Sequence, residues 1–163
     1  MPLYFAYGSN MDRAAMAVRC PRSKPLGLAR LMRHRFVILQ AGYASVERDP
    51  RAVVQGVLYD LALADVAALD RYEAVGHGLY SKVIQSVIRA SGGPVRALVY
   101  VGRGASGGRP LPGYMEGVVA GARAAGLAEE YLAGLARAGG LVAEASAPKS
   151  RLPGLRTLVA GGP

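Results

Sequence analysis

The side chains that most often build disulfides, metal sites and nucleophilic pairs are nearly missing here: one cysteine, two histidines and no tryptophan in 163 residues. Cys20 alone excludes an intramolecular disulfide and any multi-cysteine metal site. As a nucleophile it would need a base, and neither His34 nor His77 is an obvious partner, so it reads as a packed thiol. The two histidines stand apart without H-E-x-x-H spacing, so no metal and no cofactor is expected. No G-K-[ST] marks a P-loop, and no apolar run approaches the roughly 20 residues of a membrane helix. The opening MPLYFAYGSN lacks the basic start and continuous apolar stretch of a signal peptide, so a cytoplasmic protein is the expectation. Acidic residues are scarce too, 11 against 20 Lys and Arg, for a formal charge of +9. That charge attracts anions, but it is dispersed from Arg13 to Arg156. Its densest cluster, RLMRHR at 30–35, divides its cations between both strand faces, which argues against a nucleic-acid surface.

What is present is an apolar content of 52%, enough for one domain with a real core. Residues 4–11, YFAYGSNM, read as a strand that stops abruptly: residues 3–7 favour extended chain, whereas Gly8 permits positive φ and Ser9 and Asn10 favour turns and caps. Residues 11–18 predict a short helix capped by Ser9 or Asn10, with Asp12 in its first turn, and Cys20-Pro21 ends it. Residues 26–40 predict extended chain bent near Gly27, residues 43–46 a short strand before the turn-like Asp49-Pro50, and residues 53–61 a further strand. Leu63, Val66, Ala67, Leu69 and Tyr72 share a helical face that runs into Glu73, and Gly76 and Gly78 stop it. Residues 79–90 and 95–101 predict a hairpin, and residues 113–125 and 127–138 two helices split at Gly126. Strands precede helices without βαβ alternation, so the predicted class is α+β on a mixed sheet or barrel. The Ala-, Gly- and Pro-rich residues 139–163 predict a loosely docked tail, with Leu152, Leu155 and Leu158 as its contacts.

Gly102, Gly104 and Gly107 satisfy G-x-G-x-x-G after a strand, but Arg109-Pro110-Leu111-Pro112 stands where a dinucleotide site needs a helix to begin. A flexible loop is the better reading. Ser9 sits on a strand-to-helix turn without the G-x-S-x-G elbow, so it reads as a backbone donor and not a nucleophile. Two local constellations remain. The N–H groups of Gly8, Ser9 and Asn10, at a helix entrance, can converge on a carboxylate or a developing oxyanion. Glu73 ends its helix beside Ala74, Val75 and Leu79, where the negative dipole end and apolar neighbours raise a carboxylate pKa toward that of a general base. Tyr80, at the start of a strand, can aim a phenol at the same space. Taken singly these are an ordinary turn, a solvated glutamate and a half-buried tyrosine.

Together, YFAYGSNM, LDRYEAVGHGLY at 69–80, the Gly-rich loop and PLPGYMEGVVAGARAAGL at 110–127 resemble the gamma-glutamylcyclotransferase, or AIG2-like, family, in its order and from about residue 3 to about residue 135. The resemblance implies a small mixed, mostly antiparallel β-barrel with flanking helices, formed by residues 1–138 ahead of the tail. It implies that Tyr7, Gly8, Ser9 and Asn10 line a substrate pocket, that Glu73 is the acid/base, and that Tyr80 and Tyr114 are pocket tyrosines. The implied reaction closes a γ-glutamyl amide on itself, releasing 5-oxoproline and a free amine, without metal or nucleotide. The implied partner is thus a small γ-glutamyl molecule, and a homodimer is left open. Two alternatives stand beside it: a γ-glutamylamine-specific relative, and a non-catalytic small-molecule or RNA-binding module on the same fold. One departure is Ala74, where the family usually has glycine; if that residue needs positive φ, alanine costs about 1 kcal/mol.

Overall fold

The apolar opening residues form β1 (Leu3–Ala6), whose Tyr4, Phe5 and Ala6 are buried. The chain then tightens into a single 3₁₀ turn, Ser9–Met11, before α1 (Arg13–Arg19). Here the predicted helix start is corrected. Ser9 and Asn10 do not cap α1; Asp12 does, its Oδ1 accepting from the N–H of Ala14 (3.0 Å) and Ala15 (3.2 Å). The reason is packing: Met11 is fully buried, so it anchors the turn in the core and the helix starts only after it. The computed structural model describes residues 2–141, so the contacts predicted at Leu152, Leu155 and Leu158 lie outside the described residues.

β2 (Lys24–Ile38) and β3 (Ala44–Asp60) form a long antiparallel hairpin. The bend predicted at Gly27 is a register shift, with Gly27 at φ +125°. Asp49-Pro50, read as a turn after a short strand, instead lies inside β3. Its local chemistry is that of a turn, with Asp49 Oδ1 accepting from Arg51 N–H at 3.0 Å, but the partner register jumps there from His34↔Arg48 to Met32↔Val53. Pro50 therefore falls in a bulge where no ladder N–H is required.

α2 (Leu63–Tyr72) leads through a 3₁₀ turn at Val75–His77 to β4 (Tyr80–Arg89), which makes a hairpin with β5 (Pro94–Gly102). α3 (Tyr114–Ala124) and α4 (Glu129–Ala138) complete the described chain. The strands close a barrel in the order β1-β3-β2-β4-β5; β1 and β5 are parallel at Tyr4↔Leu98 and every other pairing is antiparallel. No helix of the described residues is long and apolar enough to cross a membrane.

Two close approaches fix the Ser9–Met11 turn. A Cβ on Gly56 of β3 would stand 2.1 Å from Ala6 O, so glycine there lets β1 lie flat just before the turn. On the other side Met115, Val118 and Ala122 of α3 are buried, and a Cβ on Gly121 would meet Asp12 at 3.0 Å.

α2 ends in strain. Glu73 donates its N–H to Leu69 O (2.9 Å), and Ala74 then takes φ +50°, ψ +41°, the left-handed conformation usually given to glycine. Alanine there costs about 1 kcal/mol. Ala74→Gly is therefore expected to raise unfolding free energy by roughly 1 kcal/mol, read as a higher urea midpoint at unchanged slope.

Candidate active site

Tyr7, Gly8, Ser9, Asn10, Glu73, Tyr80 and Tyr114 all line one small cleft of about 30 Å³, partly open to solvent, together with Tyr4, Ala44 and Tyr100. β1 and the turn after it supply Tyr4 to Asn10, the end of α2 supplies Glu73, and the start of β3 supplies Ala44. β4, β5 and α3 each add one tyrosine.

In the turn, Met11 N–H donates to Gly8 O (3.0 Å) and Asp12 N–H to Ser9 O (3.3 Å). The amides of Gly8, Ser9 and Asn10 precede those bonds and have no carbonyl within the turn to reach. Gly8 does not use the positive φ that its identity permits; it sits at φ −119°, ψ −135°. Its missing side chain matters for space instead, since a Cβ there would point at Tyr114 Oη (3.5 Å) and Ala44 Cβ (3.7 Å) on the opposite wall.

Asn10 is buried and engaged on both sides. Its Nδ2 donates to Glu73 Oε1 (3.1 Å) and Tyr4 Oη (3.0 Å), its Oδ1 accepts from Arg19 Nη1, and its backbone O accepts from Tyr59 Oη (2.9 Å). Glu73 is half-buried. Burial is the largest influence on its carboxyl and raises it from 4.5 to about 7, while the Arg19 charge and the Asn10 and Tyr4 donors pull it back. At neutral pH it therefore both accepts and returns protons readily.

The tyrosines divide by how their hydroxyls are used. Tyr7 donates to Tyr100 O and Tyr80 to Ala44 O, so each offers a ligand its lone pairs. Tyr114 accepts from Ala44 N–H at 3.2 Å, which leaves its own proton to give. Burial raises Tyr7 and Tyr80 well above the usual phenol range and pushes Tyr114 up to about 12, so all three stay neutral near pH 7. Tyr100 donates to Asp70 Oδ1 (2.6 Å), which also pairs with Lys82 Nζ at 2.8 Å.

Sequence reasoning missed Tyr4, Tyr100, Ala44 and the Arg19–Tyr72 pair. One signal was present: nine tyrosines against two phenylalanines marks hydroxyls retained for use, and five of the nine line this cleft. Cys20 is buried, with its Sγ 3.9 Å from Asp65 O, and burial pushes the thiol up to about 11. No group of three or more His, Cys, Asp or Glu able to hold a metal occurs among the described residues.

The profile of the AIG2-like family matches residues 53–135, a span from the middle of β3 into α4 that includes Glu73, Tyr80 and Tyr114. The chain is 27% identical over 139 residues to the Gamma-glutamylcyclotransferase of Mus musculus, covering 79% of this chain and 74% of the relative. The Homo sapiens protein of the same name matches with the same identity and coverage. A solved structure described as a Gamma-glutamyl cyclotransferase superposes with a TM-score of 0.76 at 26% identity, over 82% of this chain and 85% of that one. The YkqA structure from Bacillus subtilis, at 23% identity and a TM-score of 0.74, shares the fold. A five-stranded mixed barrel with this order of motifs, matched by profile, sequence and structure, places the chain in the AIG2-like, or gamma-glutamylcyclotransferase, family.

Proposed function

We propose that this chain is a γ-glutamyl cyclotransferase whose acid/base is Glu73. The observation that carries the reading is geometric: Glu73, half-buried with its carboxyl pushed up to about 7, is held by Asn10 Nδ2 at 3.1 Å in the same cleft as the donor turn of residues 8–10. The cleft has two chemical sides. Glu73 and the lone pairs of Tyr7 and Tyr80 suit an ammonium group; the amides of Gly8, Ser9 and Asn10 and the Tyr114 proton suit a carboxylate or an oxyanion. A γ-glutamyl amide carries both.

In the proposed reaction the Glu73 carboxylate removes a proton from the substrate's α-ammonium group. The freed amine attacks the γ-carbonyl carbon of its own side chain and closes a five-membered lactam through a tetrahedral oxyanion. Backbone donors hold that oxyanion, and Glu73 passes its proton to the departing nitrogen as the γ-amide bond breaks; the second hydrogen of the attacking nitrogen follows by the same carboxylate, so that the ring keeps one N–H and the departing amine leaves as an ammonium ion. The products are 5-oxoproline and a free amino acid or amine, and Glu73 returns to its starting state.

Three outcomes are expected. Glu73→Gln should lower 5-oxoproline release from γ-glutamyl-alanine by on the order of 10²- to 10⁴-fold; undiminished turnover would remove Glu73 from the role. Because the base acts as carboxylate, kcat/KM of the wild type should fall as pH drops through about 7.

The third outcome concerns stability. The folded-state pKa of Glu73 lies above the ordinary 4.5, so its contribution is fully present below about pH 4.5 and is lost as pH rises through about 7. Glu73→Gln stays neutral at every pH. Thermal melts should therefore show the variant gaining on the wild type as pH rises from 4.5 to 8, by up to about 3 kcal/mol.

A further inference from the structure

Arg19 ends α1 and is absent from the cleft's lining, yet it touches both parts of the chain that build the cleft. Its Nη1 donates to Asn10 Oδ1, and its Cζ lies 3.7 Å over the centre of the Tyr72 ring. Tyr72 in turn shares a 2.8 Å hydrogen bond with Ser9 Oγ. Ser9 and Asn10 are neighbours in the donor turn, and Tyr72 and Glu73 are neighbours at the end of α2. Arg19 is thus the tie between the turn and the carboxylate-bearing helix end.

A carboxamide can sit in two orientations. A guanidinium only donates, so with Arg19 on Oδ1 the amide must present its NH₂ group to Glu73 and Tyr4. Turned over, it would set Oδ1 against a carboxylate oxygen and NH₂ against a guanidinium, two repulsive contacts. The other groups facing Glu73 are phenols: Tyr4 from β1 and Tyr7 just after it, Tyr80 from β4, Tyr100 from β5 and Tyr114 from α3. Asp70 and Lys82, paired with each other, stand behind Tyr100. Among the described residues, the positive charge felt at Glu73 is that of Arg19.

We propose that Arg19 is a positioning residue: it locks the Asn10 carboxamide in the orientation that donates to Glu73 and, through Tyr72, holds the donor turn against the end of α2. The activity readouts of this inference rest on the cyclotransferase reading; its titration readout does not.

The test compares wild type, Arg19→Met and Arg19→Lys in three measurements: titration of the Glu73 side-chain carboxyl carbon by ¹³C NMR, the pH profile of 5-oxoproline release from γ-glutamyl-alanine, and thermal melts. Arg19→Met is expected to raise the Glu73 midpoint by on the order of one unit and to move the acid limb of kcat/KM equally. Activity near pH 7 then falls about fivefold and recovers above the shifted midpoint. Arg19→Lys keeps the charge without the planar fork, so it should restore part of the midpoint and less of kcat. An Arg19 that only supports the fold would lower activity by one factor at every pH and leave the Glu73 midpoint of the folded protein in place, which overturns the proposal. If Arg19→Met does not fold, Tyr72→Leu removes the ring beneath the guanidinium and must move the midpoint in the same direction. A moved midpoint in a protein inactive on γ-glutamyl-alanine sinks the substrate reading alone; an unmoved midpoint with Glu73-dependent activity sinks the positioning role alone.

Discussion

The hydrogen bond from Asn10 Nδ2 to Glu73 Oε1 joins two segments 63 residues apart in the chain, the donor turn and the end of α2, across the cleft that both line. A carboxylate among tyrosine rings has lost much of its water, and something must replace it. Here the replacement is partial: a carboxamide and the hydroxyl of Tyr4, backed by the Arg19 charge. Full compensation would return the group to its ordinary titration range and make it a weak base, whereas no compensation would leave it protonated at neutral pH. Burial pulls one way and the donors the other, and the balance falls at about 7, the range that the proposed taking and giving of a proton would need.

Holding that bond in register demands rigidity on both sides. On one side Gly56 lets β1 lie against the barrel, Met11 roots the turn in the core, and Gly121 admits α3 against Asp12. On the other, α2 stops at Tyr72, and Ala74 turns the backbone away in a left-handed conformation directly after Glu73. The strained residue thus borders the residue that must be aimed, a pattern in which the surrounding structure outweighs a local cost. Its neighbour Leu79 N–H donates to Ala74 O (3.3 Å) and ties the turn to the start of β4, which carries Tyr80.

Much of this was legible in the residues because each signal was local. The stop after YFAY, the end of a helical face at Glu73 and the hairpin of β4 and β5 all follow from neighbours within a few positions. Where the reading failed, a distant partner decided. The helix start moved from residue 11 to Arg13 because Met11 is drawn into a core built by other elements, which leaves Asp12 to cap. Pro50 did not end a strand because an irregular register opposite Arg33 left it no ladder bond to break. Tyr4 and Tyr100 were invisible as cleft residues, since nothing local separates a packed strand tyrosine from one whose hydroxyl faces a carboxylate's partner. Arg19 stands in the last turn of α1, where any cation suits the helix dipole, and only the fold brings Tyr72 beneath it.

The Gly-rich loop after β5 shows how a motif with the wrong continuation acquires a different use. Ser106 bridges to Leu39, Gly108 N–H donates to Ile38 O (3.1 Å), and Leu111 N–H donates to Gly42 O (3.2 Å), so the loop is bound along the tip of the β2–β3 hairpin. A Cβ on Gly108 would stand 2.0 Å from Leu39 O, which makes that glycine a site of backbone contact and not a phosphate cradle. The same loop delivers Tyr114 to the cleft opposite Gly8, and the hairpin tip that it grips leads into Ala44, where Tyr80 and Tyr114 both bind. The barrel and the turn hold the groups that any γ-glutamyl end would need in the proposed reaction. The loop acts on the cleft through Tyr114 and the hairpin tip that it fixes, and loops on a rigid scaffold are where related sites diverge in what they accept. In the proposed reaction, selectivity for the departing amine would thus fall to Tyr114, Ala44 and the loop and hairpin tip that place them, and the acid/base chemistry to Glu73 and the groups that tune it.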